Sequence, residues 1–474
     1  MPSLLRHTLG MIACLAAPFA AGGAERADPA LLVRNATFFT MAPDQKTPFH
    51  GYMTVDRDGK IADVGQGDPP ASLHAAQTFD AHGAWIMPGF ISAHSHLWQA
   101  AYRGLAPDQT LTGWLGVLYG QVASRADDGD FYWFTLDGAL DHLEHGVTAA
   151  YDFNRGNSPY DPPGSPDINR AEFDGELASG IRFVHGIDMP HQPKPSLDVA
   201  RQHLKSFLDW TARRPRDPHF LSVMINGSTA FVDTPDEATI EATLMREFHV
   251  GNQSHYLEPP DLIREEQDKF PWFEKAGLLG PSLIFGHFIH TTPEIIAKTA
   301  AAHGAMAWNP LSNGRLASGV ADIPAYLKAG IRVGMGEDGQ ASADLVDPFE
   351  NMRTGLYAIR DKYQNAAIMS PYDVMRLHTL GSADVIGEKA RLGSLERGKF
   401  ADFLVIDPTH FAHVFDPYAT LVFVASEQDL ARVYVGGVQM TDHGRLLHQD
   451  MQRVETEVDR RVAASLKKPA TAAK

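Results

Sequence analysis

His94 and His96, in "MPGFISAHSHLWQAAYRG" (residues 87–104), end an apolar run with one serine between them. On an extended strand, residues two apart project to the same side, so the two imidazoles could share one cation. A bare H-x-H pair is a weak signal on its own. Further donors follow downstream: His255 and Glu258 in "VGNQSHYLEPP", His287 and His290 in "LIFGHFIH", and Asp338 in "IRVGMGEDG". Pro259-Pro260 argues against a helix carrying His255 and Glu258, which leaves a strand end entering a loop. A surface histidine with a solvated glutamate is the competing reading. His287 closes its apolar run and is preferred to His290, while a lone Asp338-Gly339 reads as an ordinary turn. The single cysteine, Cys14, sits near the N-terminus, so any metal would be held by His, Asp or Glu.

These residues need a scaffold that brings strand ends together. Between residues 87 and 385, short apolar runs alternate with helical stretches. "IRFVHGID", "FLSVMING", "SLIFGHFIH", "GAMAWNP" and "IRVGMGED" read as buried strands. "DIPAYLKAG" and "TPEIIAKTAAAHG" read as helices, the second opened by a Thr cap and stopped by Gly. Such alternation predicts an α/β chain folded as a (β/α)₈ barrel, with its site at the C-terminal ends of the strands. "LLVRNATFFT" and "YMTVDRDGKIADVG" alternate like hairpin strands, with Asp58-Gly59 as a turn. "GKFADFLVID", "LVFVAS" and "RVYVGGVQM" read the same way near the other end, with Gly436-Gly437 as a turn. Residues 31–86 and 386–445 are therefore expected to pair into one small β-sandwich, with 446–474 as a tail disordered at its end. "NRGNSPYDPPGSPD" reads as a long loop over the barrel mouth.

Together the ordered donors and their surrounding text resemble the amidohydrolase superfamily, in its cytosine deaminase-like branch. That branch holds guanine, 8-oxoguanine and S-adenosylhomocysteine deaminases and the triazine hydrolases. "IMPGFISAHSH", "NPLSNGRLASG", "VGMGEDG" and "GSLERGKFADFLVID" followed by "VYVGGV" carry the likeness, from about residue 31 to 445. It implies that His94, His96, His255 and Asp338 hold one divalent metal, for which three nitrogens and a carboxylate suit Zn²⁺, with Fe²⁺ as the alternative. It further implies that Asp338 takes a proton from the attacking water, that Glu258 works as acid and base, and that His287 hydrogen-bonds the water or the developing alkoxide. The reaction would be attack of metal-bound hydroxide on an amidine-like carbon, releasing ammonia from a purine-, pyrimidine- or triazine-like ring. No lysine lies between Lys205 and Lys269, so the bridging carboxylated lysine of binuclear relatives has no counterpart in "FLSVMING", and a mononuclear site follows. Gln99 matches a glutamine that hydrogen-bonds the purine in guanine and 8-oxoguanine deaminases, and an amide suits a lactam edge. Gln99 could instead brace the loop, and Trp98 could stack on a base or pack. Arg103 reads as a loop anchor. The competing functions are an amide or ring-opening hydrolase on the same scaffold, and a non-catalytic binding protein.

With 41 basic against 58 acidic residues the formal charge is −17, which lacks the basic footprint of a nucleic-acid binder. Arg6, the apolar stretch Met11–Ala21 and Gly22-Gly23-Ala24 read as a secretory signal peptide over residues 1–24. The stretch is too short for a membrane anchor, and lipidation at Cys14 is the alternative. The expected partner is a small heterocyclic substrate, and the enzyme is expected to be periplasmic or secreted, as a monomer or homo-oligomer.

Overall fold

The computed structural model describes residues 28–157, 165, 167–189 and 194–468. The signal peptide read at 1–24 and much of the Pro/Gly-rich loop lie outside the described residues. Among the described residues the strands form two nine-stranded sheets.

One sheet is the barrel. Its strands run in chain order, all parallel: Phe90–His96, Val147–Asp152, Arg182–Asp188, Phe220–Gly227, Gly251–Tyr256, Leu283–His287, Ala305–Trp308 and Arg332–Met335. The last is continued by Asp338–Gly339, which pairs with Ser95 and His96 and so closes the ring. Most of the strands, such as Leu283–His287 and Ala305–Trp308, are largely apolar because both faces are covered, by side chains inside and helices outside, whereas Gly251–Tyr256 is polar almost throughout. Helices such as Asp128–Glu144, Ile263–Ala276 and Pro293–Ala301 return the chain between strands. The expected Thr cap is present, with Thr292 accepting from Ile295 N–H. The stop differs: the helix ends at Ala301, and His303, at φ 57°, takes the left-handed position one residue before Gly304.

The second sheet draws on both chain ends. Trp85–Pro88 from the first segment pairs antiparallel with Phe403–Ile406 from the second. Asp58-Gly59 turns one hairpin, and Gly436-Gly437 turns another with φ of 57° and 74°, angles a hairpin favours and only glycine adopts freely. The sheet curls until these turns meet, where Ala401 N–H bonds Gly59 O and Gly437 N–H bonds Ala401 O. Leu31, Val33, Phe38, Met53, Ile86, Phe403 and Val405 form its own apolar core. Only Gly89 separates this sheet from the first barrel strand, so Met87 and Pro88 belong to the accessory sheet.

Two expectations need correction. "LVFVAS" is not a strand: Pro417–Phe423 is a helix, its start capped by Asp416 on Ala419 N–H. The tail read at 446–474 contains the helix Met451–Ser465, whose Val454 and Val458 are buried in the cluster that also holds Phe131 and Leu143.

Candidate metal centre

The site lies at the C-terminal ends of the barrel strands. His94 and His96 come from the first strand, His255 from the fifth, His287 from the end of the sixth and Asp338 from the eighth. His96 Nε2 faces His255 Nε2 at 3.2 Å. Asp338 Oδ1 lies 3.4 Å from His94 Nε2 and 3.3 Å from His96 Nε2. The donor atoms of His94, His96 and Asp338 lie within 4.8 Å of one another, as do those of His94, His255 and His287. His287 thus joins the cluster through His94 and His255, although it is not among the four expected ligands. His94 Nε2 is buried without a hydrogen bond of good geometry. Converging imidazole nitrogens with no proton between them repel unless a cation sits among them, so this donor set fits a divalent metal.

The strand ends are bent to aim these groups. His287 and Asp338 adopt left-handed backbone conformations, with φ of 66° and 59°, as do Leu257 and Phe288 at 57° and 48°. For residues other than glycine each such position costs on the order of 1–3 kcal/mol, and such strain gathers at functional sites.

Ring orientations are set from behind. Gln253 Oε1 hydrogen-bonds His94 Nδ1, and Gln253 Nε2 donates to Ala93 O at 2.9 Å. His96 Nδ1 donates to Phe153 O at 2.8 Å, leaving Nε2 as a lone pair toward the centre. Asn313 Nδ2 donates to His287 Nδ1 at 2.8 Å, which places the proton on Nε2. That N–H points between Glu258 Oε2, at 3.4 Å, and Asp338 Oδ2, at 3.9 Å. Partners of this kind fix tautomers and tune ligands. The ring of Phe153 lies against His255, with centroids 4.4 Å apart, and against His96 at 5.3 Å.

Electrostatics divide the two carboxyls. Burial raises the Asp338 carboxyl, but the His94 contact and the charges of His287, His94 and His96 outweigh it and hold it well below the usual range. Burial, helped by the Asp338 charge, pushes Glu258 well above its ordinary value, with Ser318 Oγ donating to Oε1 at 3.2 Å in opposition. Burial depresses His96 to about 4 and His287 to about 3, and takes His255 well below its ordinary value. These three shifts favour the neutral form that a metal ligand must have. Two neighbouring carboxyls pushed in opposite directions are the pairing expected of a base and an acid.

Gln99 is buried on the short helix Leu97–Tyr102, with its Oε1 unpartnered and packed against Gly339. Trp98 is turned away from the imidazoles: it is fully buried among Tyr102, Tyr119 and Phe131. Its surroundings are those of a core residue. Arg103 forms an ion pair with Asp141, an anchoring contact. Gln253, Phe153, Asn313 and Ser318 were not singled out by the sequence reading. No spacing announces them, although Asn313 and Ser318 both lie inside "NPLSNGRLASG".

The amidohydrolase family model matches residues 85–440. A 5-methylthioadenosine/S-adenosylhomocysteine deaminase of Bacillus cereus (strain 03BB102) is 27% identical over 437 residues, covering 90% of this chain and 97% of its own. Among solved structures, a zinc-bound adenosine deaminase from Xanthomonas campestris superposes with a TM-score of 0.78 at 20% identity, covering 92% of this chain and 99% of its own. A guanine deaminase from C. acetobutylicum with bound guanine superposes at 0.71 and 20% identity, covering 86% and 99%. An atrazine chlorohydrolase from Arthrobacter aurescens TC1 with zinc reaches 0.80 at 23% identity, covering 91% and 100%. With the family model spanning most of the chain, this protein belongs to the amidohydrolase family and is a hydrolase.

Proposed function

We propose that the protein deaminates an amino-substituted N-heterocycle by hydrolysis, with His94, His96, His255 and Asp338 holding one divalent metal, Zn²⁺ before Fe²⁺. The observation that carries the reading is the convergence of His94, His96, His255 and Asp338 on one point with Glu258 beside it, 3.4 Å from His287 Nε2. The deaminase names of relatives support the substrate class. A metal at these ligands supplies a water acidified from near 16 toward about 7.

The protein's own groups do the rest. Asp338 presents Oδ1 to His94 and His96 while Oδ2 is turned toward His287, so one oxygen remains to accept a proton. Glu258, held at Oε1 by Ser318, presents Oε2 beside the same point and can protonate a ring nitrogen, then carry a proton to the leaving amine. His287 Nε2–H, fixed by Asn313, offers a hydrogen bond where negative charge develops on oxygen. Gln99 Oε1, buried and unpartnered, is an acceptor for a ring N–H.

Ammonia release from purines, pyrimidines, pterins and triazines by protein of measured metal content tests the reading. Release of ammonia from a member of the panel is the expected result. A new carboxylate without ammonia would establish an amide or ring-opening hydrolase instead. Inactivity on the whole panel with metal bound would refute deamination, and failure to take up zinc would revive a binding protein. For location, we infer export from the sequence of residues 1–24, and among the described residues no helix is long and apolar enough to cross a membrane. Fractionation of cells making the full chain should find a shortened protein outside the cytoplasm. Gel filtration should decide between a monomer and a homo-oligomer.

A further inference from the structure

Arg155 stands at the catalytic face, three residues beyond the end of the second barrel strand, and is half-buried. Its Nε is buried with no hydrogen-bond acceptor in reach. The guanidinium has no carboxylate partner among the described residues, and its Cζ lies over the Tyr119 ring at 5.3 Å. An unpaired, partly desolvated cation is unusual in a chain of formal charge −17, where other arginines such as Arg103, Arg182 and Arg315 are paired with aspartates.

The backbone around it is held as if to present it. Glu172, on the helix Ile168–Ser179, accepts from Arg155 N–H at 2.9 Å through one oxygen and from Gly156 N–H at 3.0 Å through the other. Burial, helped by Asp152, raises Glu172 to about 8, so it clamps the loop largely without contributing a charge that would neutralise Arg155. Three residues upstream, Asp152 Oδ1 accepts from Leu97 N–H at 3.0 Å, and two upstream Phe153 O accepts from His96 Nδ1–H. The segment that orients a metal ligand therefore also carries Arg155. Tyr119 lies in the same region: burial raises its phenol, with Arg155 acting against that and the charges of Asp188, Glu172 and Asp338 adding to it. Phe153, two residues before Arg155, lies against His255 with centroids 4.4 Å apart, so the chain that carries Arg155 borders the metal centre.

We infer that Arg155 is the substrate's anion-recognition residue, and that the preferred heterocycle bears a carboxylate on the side away from the reacting carbon. A guanidinium keeps its charge at any working pH and presents paired N–H donors that match a carboxylate, while Tyr119 offers a face beside it. The inference rests on reading the imidazole cluster as the reacting end of the site.

Pterin and pterin-6-carboxylate, titrated against zinc-loaded protein and followed by their own fluorescence, separate the possibilities. Pterin-6-carboxylate should bind about 10-fold tighter or more than pterin, the size of a charge-assisted hydrogen bond. R155M should erase that preference and leave pterin's Kd within about 2-fold, and R155K should keep part of it. R155Q serves as a second neutral variant should R155M prove unstable, with zinc content and Tm as controls on folding. Equal affinities in the wild type, a preference surviving both neutral variants, or no measurable binding of the carboxylate would overturn the assignment. Ammonia is assayed on the same samples. Preference without turnover would leave Arg155 standing and count against deamination, and turnover without preference would do the reverse.

Discussion

Glu258 and His255 stand three residues apart yet should fail in different ways when replaced. Glu258→Gln removes the transferable proton but keeps an acceptor for Ser318, so metal content should stay at the wild-type level while turnover falls by about 10²-fold or more. His255→Ala removes a nitrogen that faces His96 at 3.2 Å, so the metal itself should be depleted. Metal analysis beside steady-state kinetics checks both, and two variants with full activity would mean that the site is elsewhere. His94, His96, His287 and Asp338 were readable in the sequence because each follows an apolar run, where a strand end meets the barrel mouth, whereas His255 follows the polar Asn252-Gln253-Ser254. Gln253, Asn313 and Ser318 were not, because an isolated amide or hydroxyl has no period and acquires meaning only from what faces it. Sequence left Trp98 open between stacking on a base and packing, for a related reason. Its neighbours in sequence are His96 and Gln99, but its ring turns into the aromatic cluster.

Helix Asp128–Glu144 packs directly on the segment Leu97–Tyr102, and the contact is made at Gly138. A Cβ there would stand 2.0 Å from Leu97 O, a backbone atom that cannot swing aside. Gly138→Ala should therefore destabilise the protein by about 1–3 kcal/mol despite alanine's better helix propensity. Gly129→Ala on the same helix meets nothing closer than Arg461 Nη1 at 3.3 Å, the end of a flexible side chain, and should be near neutral. Urea denaturation of the two variants makes the comparison, and equal stabilities would show that the helix can shift. At this scale the barrel was legible, since most of its strands are short apolar runs that alternate with helices, although the polar strand Gly251–Tyr256 gives no such signal. The helix Pro417–Phe423 was not, because a β-branched run without alternation outweighed the Asp416-Pro417 start signal. The helix Met451–Ser465 has Val454 and Val458 at the i, i+4 spacing, a signal that was present and passed over.

Over the whole molecule, burial has shifted many titratable groups, and their sum fixes how stability responds to pH. Asp137 and Glu144 are raised to about 7, and Glu172 and Glu237 to about 8, each chiefly by burial. Burial lowers His145, but Asp141 outweighs it and takes the group up to about 10. All five bind protons more tightly folded than unfolded, so the stability they contribute is present at low pH and lost as pH rises through these values. His96, His185 and His287, lowered to about 4, 4 and 3, act the other way, but only below the ordinary histidine value of 6.5. Above 6.5 the first set acts alone. The Tm of the zinc-loaded protein should therefore fall between pH 6.5 and about 8.5, and a rise over that interval would contradict these environments.

The single residue between the accessory sheet and the first barrel strand bears on how the protein is made. Trp85–Pro88 finds its partner in Phe403–Ile406, and the strand carrying His94 and His96 is closed on its other side by Asp338–Gly339. On the ribosome, the two earliest donors thus emerge hundreds of residues before the segments that pin them. Ion capture at full coordination must accordingly wait until Asp338 has emerged, and a chain cut short of residue 403 would leave the scaffold of the first two histidines without its neighbouring strand.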